Sequence, residues 1–153
     1  MSPAPMSFTN RRKVTIEWGD CDAAGIVFYP RYFAMFDWST ASLLAAAFGM
    51  RKPDYLRHWN IAGIPMVDTR AVFHIPSSFG DEIVIESRVT GIGRSSFEVF
   101  HRLLKPDSDG GEALGGECWE KRVWSVRDPT DPTRLRGAAV PAEARRMLGL
   151  ADA

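Results

Sequence analysis

The stretch EWGDCDAAGIVFYPRYFAMFDWS, residues 17–39, decides how the chain is read. Leading into it, RRKVTIEWGD alternates, with Val14, Ile16 and Trp18 on one side, which predicts a strand over residues 12–18. DAAGI then breaks the pattern. Pro30 stands in the first turn of a helix, where its missing N–H has no partner to lose. From Pro30 to Phe48 apolar residues return at helical spacing, among them Phe33, Phe36, Leu43, Leu44 and Ala47. They cover more than one stripe, so the helix is expected to be buried on several sides. Gly49 is a natural stop. The passage is a strand feeding a long helix through a junction crowded with two acids, a cysteine and small residues.

Working outward, residues 50–63 read as a mixed loop with a helical turn around PDYLRHW. Four strand candidates follow, over residues 65–75, 81–92, 95–105 and 113–128. Each is rich in β-branched or aromatic residues, and PSSFG, GIGRS and PDSDGGE supply the turns between them. Residues 141–150 read as a short helix after Pro141. One helix cannot close both faces of five strands, but it can fill the concave face of a strongly curved sheet. That is an α+β hotdog fold, a five-stranded curved antiparallel sheet wrapped around one long central helix. Its open edge favours self-association, as a homodimer or a homotetramer built as a dimer of dimers. Residues 1–10 are expected to be a flexible N-terminal tail and residues 11–150 a single hotdog domain.

Composition narrows the function. The 153 residues are 45% hydrophobic and 25% charged, as in soluble globular proteins. Nineteen basic side chains balance nineteen acidic ones, so no overall charge draws the chain to nucleic acid or an anionic membrane. NRRK and EARR are short and lack the aromatic neighbours of a nucleic-acid surface. No apolar run is long enough to span a bilayer, and MSPAPMSFTNRRK lacks the apolar core of a secretory signal, so a cytoplasmic location is expected. Cys21 and Cys118 make no disulfide framework or zinc motif. His58, His74 and His101 have no metal spacing, and solvent contact or core hydrogen bonding is expected of each. Neither a metal nor a cofactor is implied.

The run IEWGDCDAAGIVFYPRYFAMFD closely resembles the first motif of the 4-hydroxybenzoyl-CoA thioesterases of the hotdog superfamily. Weaker similarity continues through GIPMV, GRSSF and RLRGAAVPAE, covering most of residues 12–147. A looser relative is the Tol-Pal-associated short-chain acyl-CoA thioesterase, which carries a histidine after its glycines where this chain has VFYP.

The resemblance implies an acyl-CoA thioesterase with Asp22 as catalytic carboxylate, acting as nucleophile or as general base for water. It implies that the Tyr29 backbone N–H binds the oxyanion and that Gly25 lets the chain pass close to the substrate. Asp37, about two turns into the helix, would accept a hydrogen bond from the phenolic hydroxyl of a hydroxybenzoyl group. Arg94, Ser95 and Ser96 align with a basic segment that grips the phosphates of coenzyme A, typically from the neighbouring subunit. Here glycine and serine replace two of its charges, which leaves room for Arg88 or Arg102 to contribute. Asp20 is read as a turn and cap residue and both cysteines as small buried filler. Two other readings of the fold stay open. One is a non-hydrolytic acyl-CoA binding protein; the other is a dehydratase or hydratase, which needs a histidine near Asp22.

Overall fold

A computed structural model describes residues 8–150. Strand β1 (Thr9–Thr15) leads through a single 3-10 turn at Trp18–Asp20 to helix α1 (Tyr29–Phe48) and the short α2 (Lys52–His58). Strands β2 (Met66–Phe73), β3 (Glu82–Ile92), β4 (Ser96–Pro106) and β5 (Glu112–Val123) complete the main sheet. A two-stranded ribbon, β6 (Ser125–Arg127) with β7 (Leu135–Gly137), and α3 (Ala142–Met147) close the described chain. The sheet order is β1-β3-β4-β5-β2 and every pairing is antiparallel. The five-stranded sheet around a twenty-residue helix is the expected hotdog arrangement.

Alternation builds the inner face. Ile83, Ile85, Ser87 and Val89 of β3 are buried, as are Phe97, Val99, His101 and Leu103 of β4 and Cys118, Glu120 and Arg122 of β5. Against them α1 sets Tyr32, Met35, Phe36, Ser39, Thr40, Leu43, Leu44 and Phe48, a stripe at three- and four-residue steps. Two apolar clusters result. One joins the first half of α1 to Ile16, Ile83, Ile85 and Leu103. The other joins its second half to Tyr55, Phe97, Val99 and Trp124. Fully burying each of Phe36, Leu43 and Leu44 contributes roughly 1.5–3 kcal/mol. Ser39 and Thr40 mark a polar band across the middle of the helix. Gly49 ends α1 with φ 64° and donates its N–H to the Ala45 carbonyl, a left-handed cap that glycine adopts without strain.

Several boundaries differ from the sequence reading. Strand β1 begins at Thr9, and the Phe8 N–H donates to the Leu148 carbonyl, so residues 8–10 of the stretch read as a tail are built into the fold. Residues 1–7 of that stretch lie outside the described residues. The strand stops at Thr15, and Trp18 is 76% exposed because the 3-10 turn rotates it away from Val14 and Ile16. The strand expected over 113–128 breaks at Trp124, which turns inward to pack its ring on Phe48 and Trp59. Cys118 is buried as expected, whereas Cys21 is only half-buried, on the hairpin before α1.

Candidate active site

The junction between β1 and α1 is fixed by its own backbone. Ile16 donates its N–H to Asp81 O and accepts from Gly80, tying the end of β1 to the start of β3. Glu17 and Asp20 then form a capping box, with the Glu17 N–H donating to Asp20 Oδ2 at 2.9 Å. Asp20 is thus a cap, as its position suggested. Beyond it the chain folds into a small hairpin in which Cys21 faces Val27. The Asp22 N–H donates to Ile26 O, and the Gly25 and Ala24 N–H groups donate to Asp22 O and Asp22 Oδ1. Gly25 takes φ 81°, which the tight return requires and which a side chain would strain. The Val27 N–H donates to Ser77 O and the Phe28 N–H to Asp20 O, so the hairpin is stapled on both sides.

The first turn of α1 keeps a donor unspent at its very start. Pro30 has no N–H, and the Arg31 N–H is taken by Phe28 O. The Tyr29 N–H has no partner among the described residues and stands at the positive end of a twenty-residue helix. Beside it lies a cavity of about 210 Å³ lined by Ile26, Val27, Tyr29, Tyr32, Phe73 and His74. Tyr32 is locked by accepting the Ser77 N–H and by stacking on Phe73 at 4.7 Å. Asp22 is exposed on the hairpin that supplies Ile26 and Val27 to the cavity wall, and its Oδ2 has no partner among the described residues. Asp20 lines a different cleft, of about 500 Å³, with Arg12, Arg31 and Trp38 on the β1 side of the helix.

The remaining candidates lie elsewhere. Arg94 and Ser95 lie in the β3–β4 turn and Ser96 opens β4. β3 starts beside the junction and is eleven residues long, so that turn lies at the other end of the strand, about 33 Å along its path. One chain therefore does not bring Arg94 to Asp22. Sequence reasoning gave no part to Arg145, yet it braces the turn by donating to the Gly93 carbonyl at 2.6 Å. Arg88 lies over Phe100 and Arg102 pairs with Glu86 on the outer face.

Asp37 is paired with Arg122 Nη2 at 2.8 Å. Arg122 is 4% exposed and also donates to both carboxylate oxygens of Glu120 and to Ile64 O. Glu120, 3% exposed, accepts from Thr40 and meets His101 Nε2 at 2.9 Å; His101 Nδ1 meets Ser87 Oγ at 2.7 Å. Burial pushes the Glu120 carboxyl up, but hydrogen bonds and charge from His101 and Arg122 outweigh it and hold the group down at about 2. The sequence reading singled out Asp37 but not the line behind it, because the other members are spread over the helix and three strands with no local signal joining them. His101 is its core histidine; His58 and His74 pair with Glu143 and Glu117 nearer the surface. None of the three is hydrogen-bonded to Asp22.

A five-stranded antiparallel sheet wrapped on a central twenty-residue helix defines a protein of the hotdog-fold class. Residues 16–128 match the Thioesterase-like superfamily, and the chain belongs to that family. It is 30% identical over 128 residues to the 4-hydroxybenzoyl-CoA thioesterase of Pseudomonas sp. (strain CBS-3), covering 84% of this chain and 89% of that one. It is 27% identical over 143 residues to the 1,4-dihydroxy-2-naphthoyl-CoA hydrolase of Trichodesmium erythraeum (strain IMS101), covering 94% and 96%. A crystal structure of a 4-hydroxybenzoyl-CoA thioesterase Asp-to-Asn variant, complexed with 4-hydroxybenzoyl-CoA, superposes with a TM-score of 0.84 at 28% identity over 93% of this chain and 99% of that one.

Proposed function

We propose that the chain hydrolyses the thioester of an aromatic acyl-CoA, 4-hydroxybenzoyl-CoA or a close analogue, to the free acid and coenzyme A. The observation that carries this reading is the free Tyr29 N–H beside the Asp22 hairpin and an apolar cavity. A thioester carbonyl placed at that N–H is polarised by the donor and the helix dipole, and the oxyanion of the tetrahedral intermediate gains most from both. Asp22, with one oxygen holding Ala24 and the other free, either attacks the carbonyl or takes a proton from water.

Two copies complete the site in this reading. β1 blunts its edge with Arg11, Arg12 and Lys13, whereas β2 offers an open edge carrying Val67, Val72 and Phe73, each at least 36% exposed. Antiparallel pairing of β2 with its copy about a two-fold axis exchanges the ends of the strand. The partner's Asp37 and Arg94 then come toward this copy's Tyr29. Within one chain Asp37 lies about 12 Å along the helix from Tyr29, farther than a hydroxybenzoyl ring reaches. The assembly is a homodimer through β2, with pairs of dimers as a further step.

The test is thiol release from 4-hydroxybenzoyl-, benzoyl-, phenylacetyl- and short aliphatic CoA thioesters. Preferred turnover of the hydroxybenzoyl thioester is expected; saturable binding with no thiol release from any of them means a non-hydrolytic binding protein. For the nucleotide, Arg94→Ala is expected to raise KM several-fold for the CoA thioester and to leave the matching N-acetylcysteamine thioester unaffected, since a lost Arg–phosphate contact is felt only by a substrate with phosphates.

A further inference from the structure

The buried line under α1 has a use at its open end. Its members come from three strands and the helix: Ser87 on β3, His101 on β4, Glu120 and Arg122 on β5, and Thr40 and Asp37 on α1. It crosses the interior in the gap between the two apolar clusters. Phe36 stacks on His101 at 5.3 Å, so the far end cannot rotate. Arg122 is gripped by Glu120 on one side and by the Ile64 carbonyl on another, which leaves its guanidinium one orientation. Buried ions of this kind add little stability over apolar residues of the same size, so stability does not account for them. Only Asp37 reaches the surface; its side chain is 63% exposed. Its Oδ1 takes the Arg122 N–H, and its Oδ2 has no partner among the described residues.

We infer that Arg122, held by Glu120, is the positioning residue that keeps Asp37 an aimed acceptor, and through it sets the preference for a hydroxylated acyl ring; this rests on reading Asp37 as the acceptor of the ring hydroxyl. When the ring and a second copy cover Asp37, a carboxylate without a partner would swing away toward water. Without Arg122 it would also face Glu120, a charge of its own sign. With Arg122 in place, the free oxygen accepts the phenolic O–H in a charge-assisted hydrogen bond, and benzoyl thioesters leave that oxygen unmatched.

The experiment is a double-mutant cycle of Arg122→Lys and Asp37→Ala. Its readout is the ratio of kcat/KM for 4-hydroxybenzoyl-CoA to that for benzoyl-CoA. Lysine keeps the buried charge but not the fork that holds Glu120 and Asp37 together. Arg122→Lys is expected to lower the ratio about tenfold, the worth of one hydrogen bond to a charged group, with the loss in KM for the hydroxylated substrate. In the Asp37→Ala background it is expected to change the ratio no further. Glu120→Gln, which keeps the volume and loosens Arg122, should give the same pattern if the lysine variant folds poorly. A ratio that falls in Asp37→Ala but not in Arg122→Lys or Glu120→Gln overturns the positioning role alone. An equal fall with and without Asp37 overturns it too, because the effect would not pass through the acid. A flat ratio in Asp37→Ala, or no hydrolysis of either thioester, overturns both this role and the reading of the site.

Discussion

Asp22→Asn is expected to lower kcat for 4-hydroxybenzoyl-CoA by at least about a hundredfold, the usual scale for losing a positioned base or nucleophile, while KM and ligand affinity stay within a few-fold. The substitution is nearly isosteric. An asparagine Oδ1 still accepts the Ala24 N–H that now closes the turn at 2.8 Å, so the hairpin from Cys21 to Val27 keeps its shape and the Tyr29 N–H stays free. What disappears is the charge and basicity of the exposed second oxygen. The matched control is Asp20→Asn. It also retains an acceptor for the Glu17 N–H, but Asp20 sits in a capping box facing the cleft on the β1 side. Its turnover should stay within a few-fold of the parent. Steady-state kinetics with thiol detection and calorimetric titration of substrate onto the inactive variant measure both. Near-normal turnover in Asp22→Asn would remove Asp22 from the chemistry.

The strand, junction and long helix were legible because each carries local chemistry: alternation to Ile16, Pro30 inside the first turn, Gly49 at the left-handed cap. The meander was legible for the same reason, since PSSFG, GIGRS and PDSDGGE announce their own turns. Trp18 and Trp124 were misplaced because their environment is decided at a distance. A 3-10 turn rotates one outward, and a cluster with Phe48 and Trp59 draws the other inward. Alternation reports a face only while the strand runs straight.

The site divides in the same way. Asp22, Gly25 and Tyr29 lie within eight residues of each other, and their relation is set by short-range backbone bonds. Asp37 and Arg122 are 85 positions apart and Thr40 and Glu120 are 80, so nothing local marks them as partners. Glu120 and Arg122 read as polar members of a strand with one wet face. Their burial follows from α1 lying across that face, with Thr40 there to meet them. The separation of Arg94 from Asp22 was likewise invisible until the length of β3 put the turn at the far end of the sheet.

The buried line also makes a large prediction about stability. Arg122→Met is expected to cost about 3–5 kcal/mol in urea unfolding at neutral pH and fixed protein concentration, because it leaves Glu120 buried without its main cation and Asp37 facing it. Replacing both members, Glu120→Leu with Arg122→Met, should recover much of that loss, since the charge stranded by the single change is gone. The same carboxylate fixes a pH dependence. Its native pKa of about 2 lies below the ordinary 4.5, so the unfolded chain takes up this proton first as pH falls. Stability from the ionised group is therefore complete above pH 4.5 and is shed as the pH drops from there toward 2. Glu120→Gln carries no such proton. It should be less stable than the parent at pH 7, and the gap should narrow steadily below pH 4.5. Parallel stability curves for parent and variant across that range would mean that Glu120 is not held ionised by His101 and Arg122. The line would then be an ordinary set of hydrogen bonds with no charge to hand on to Asp37.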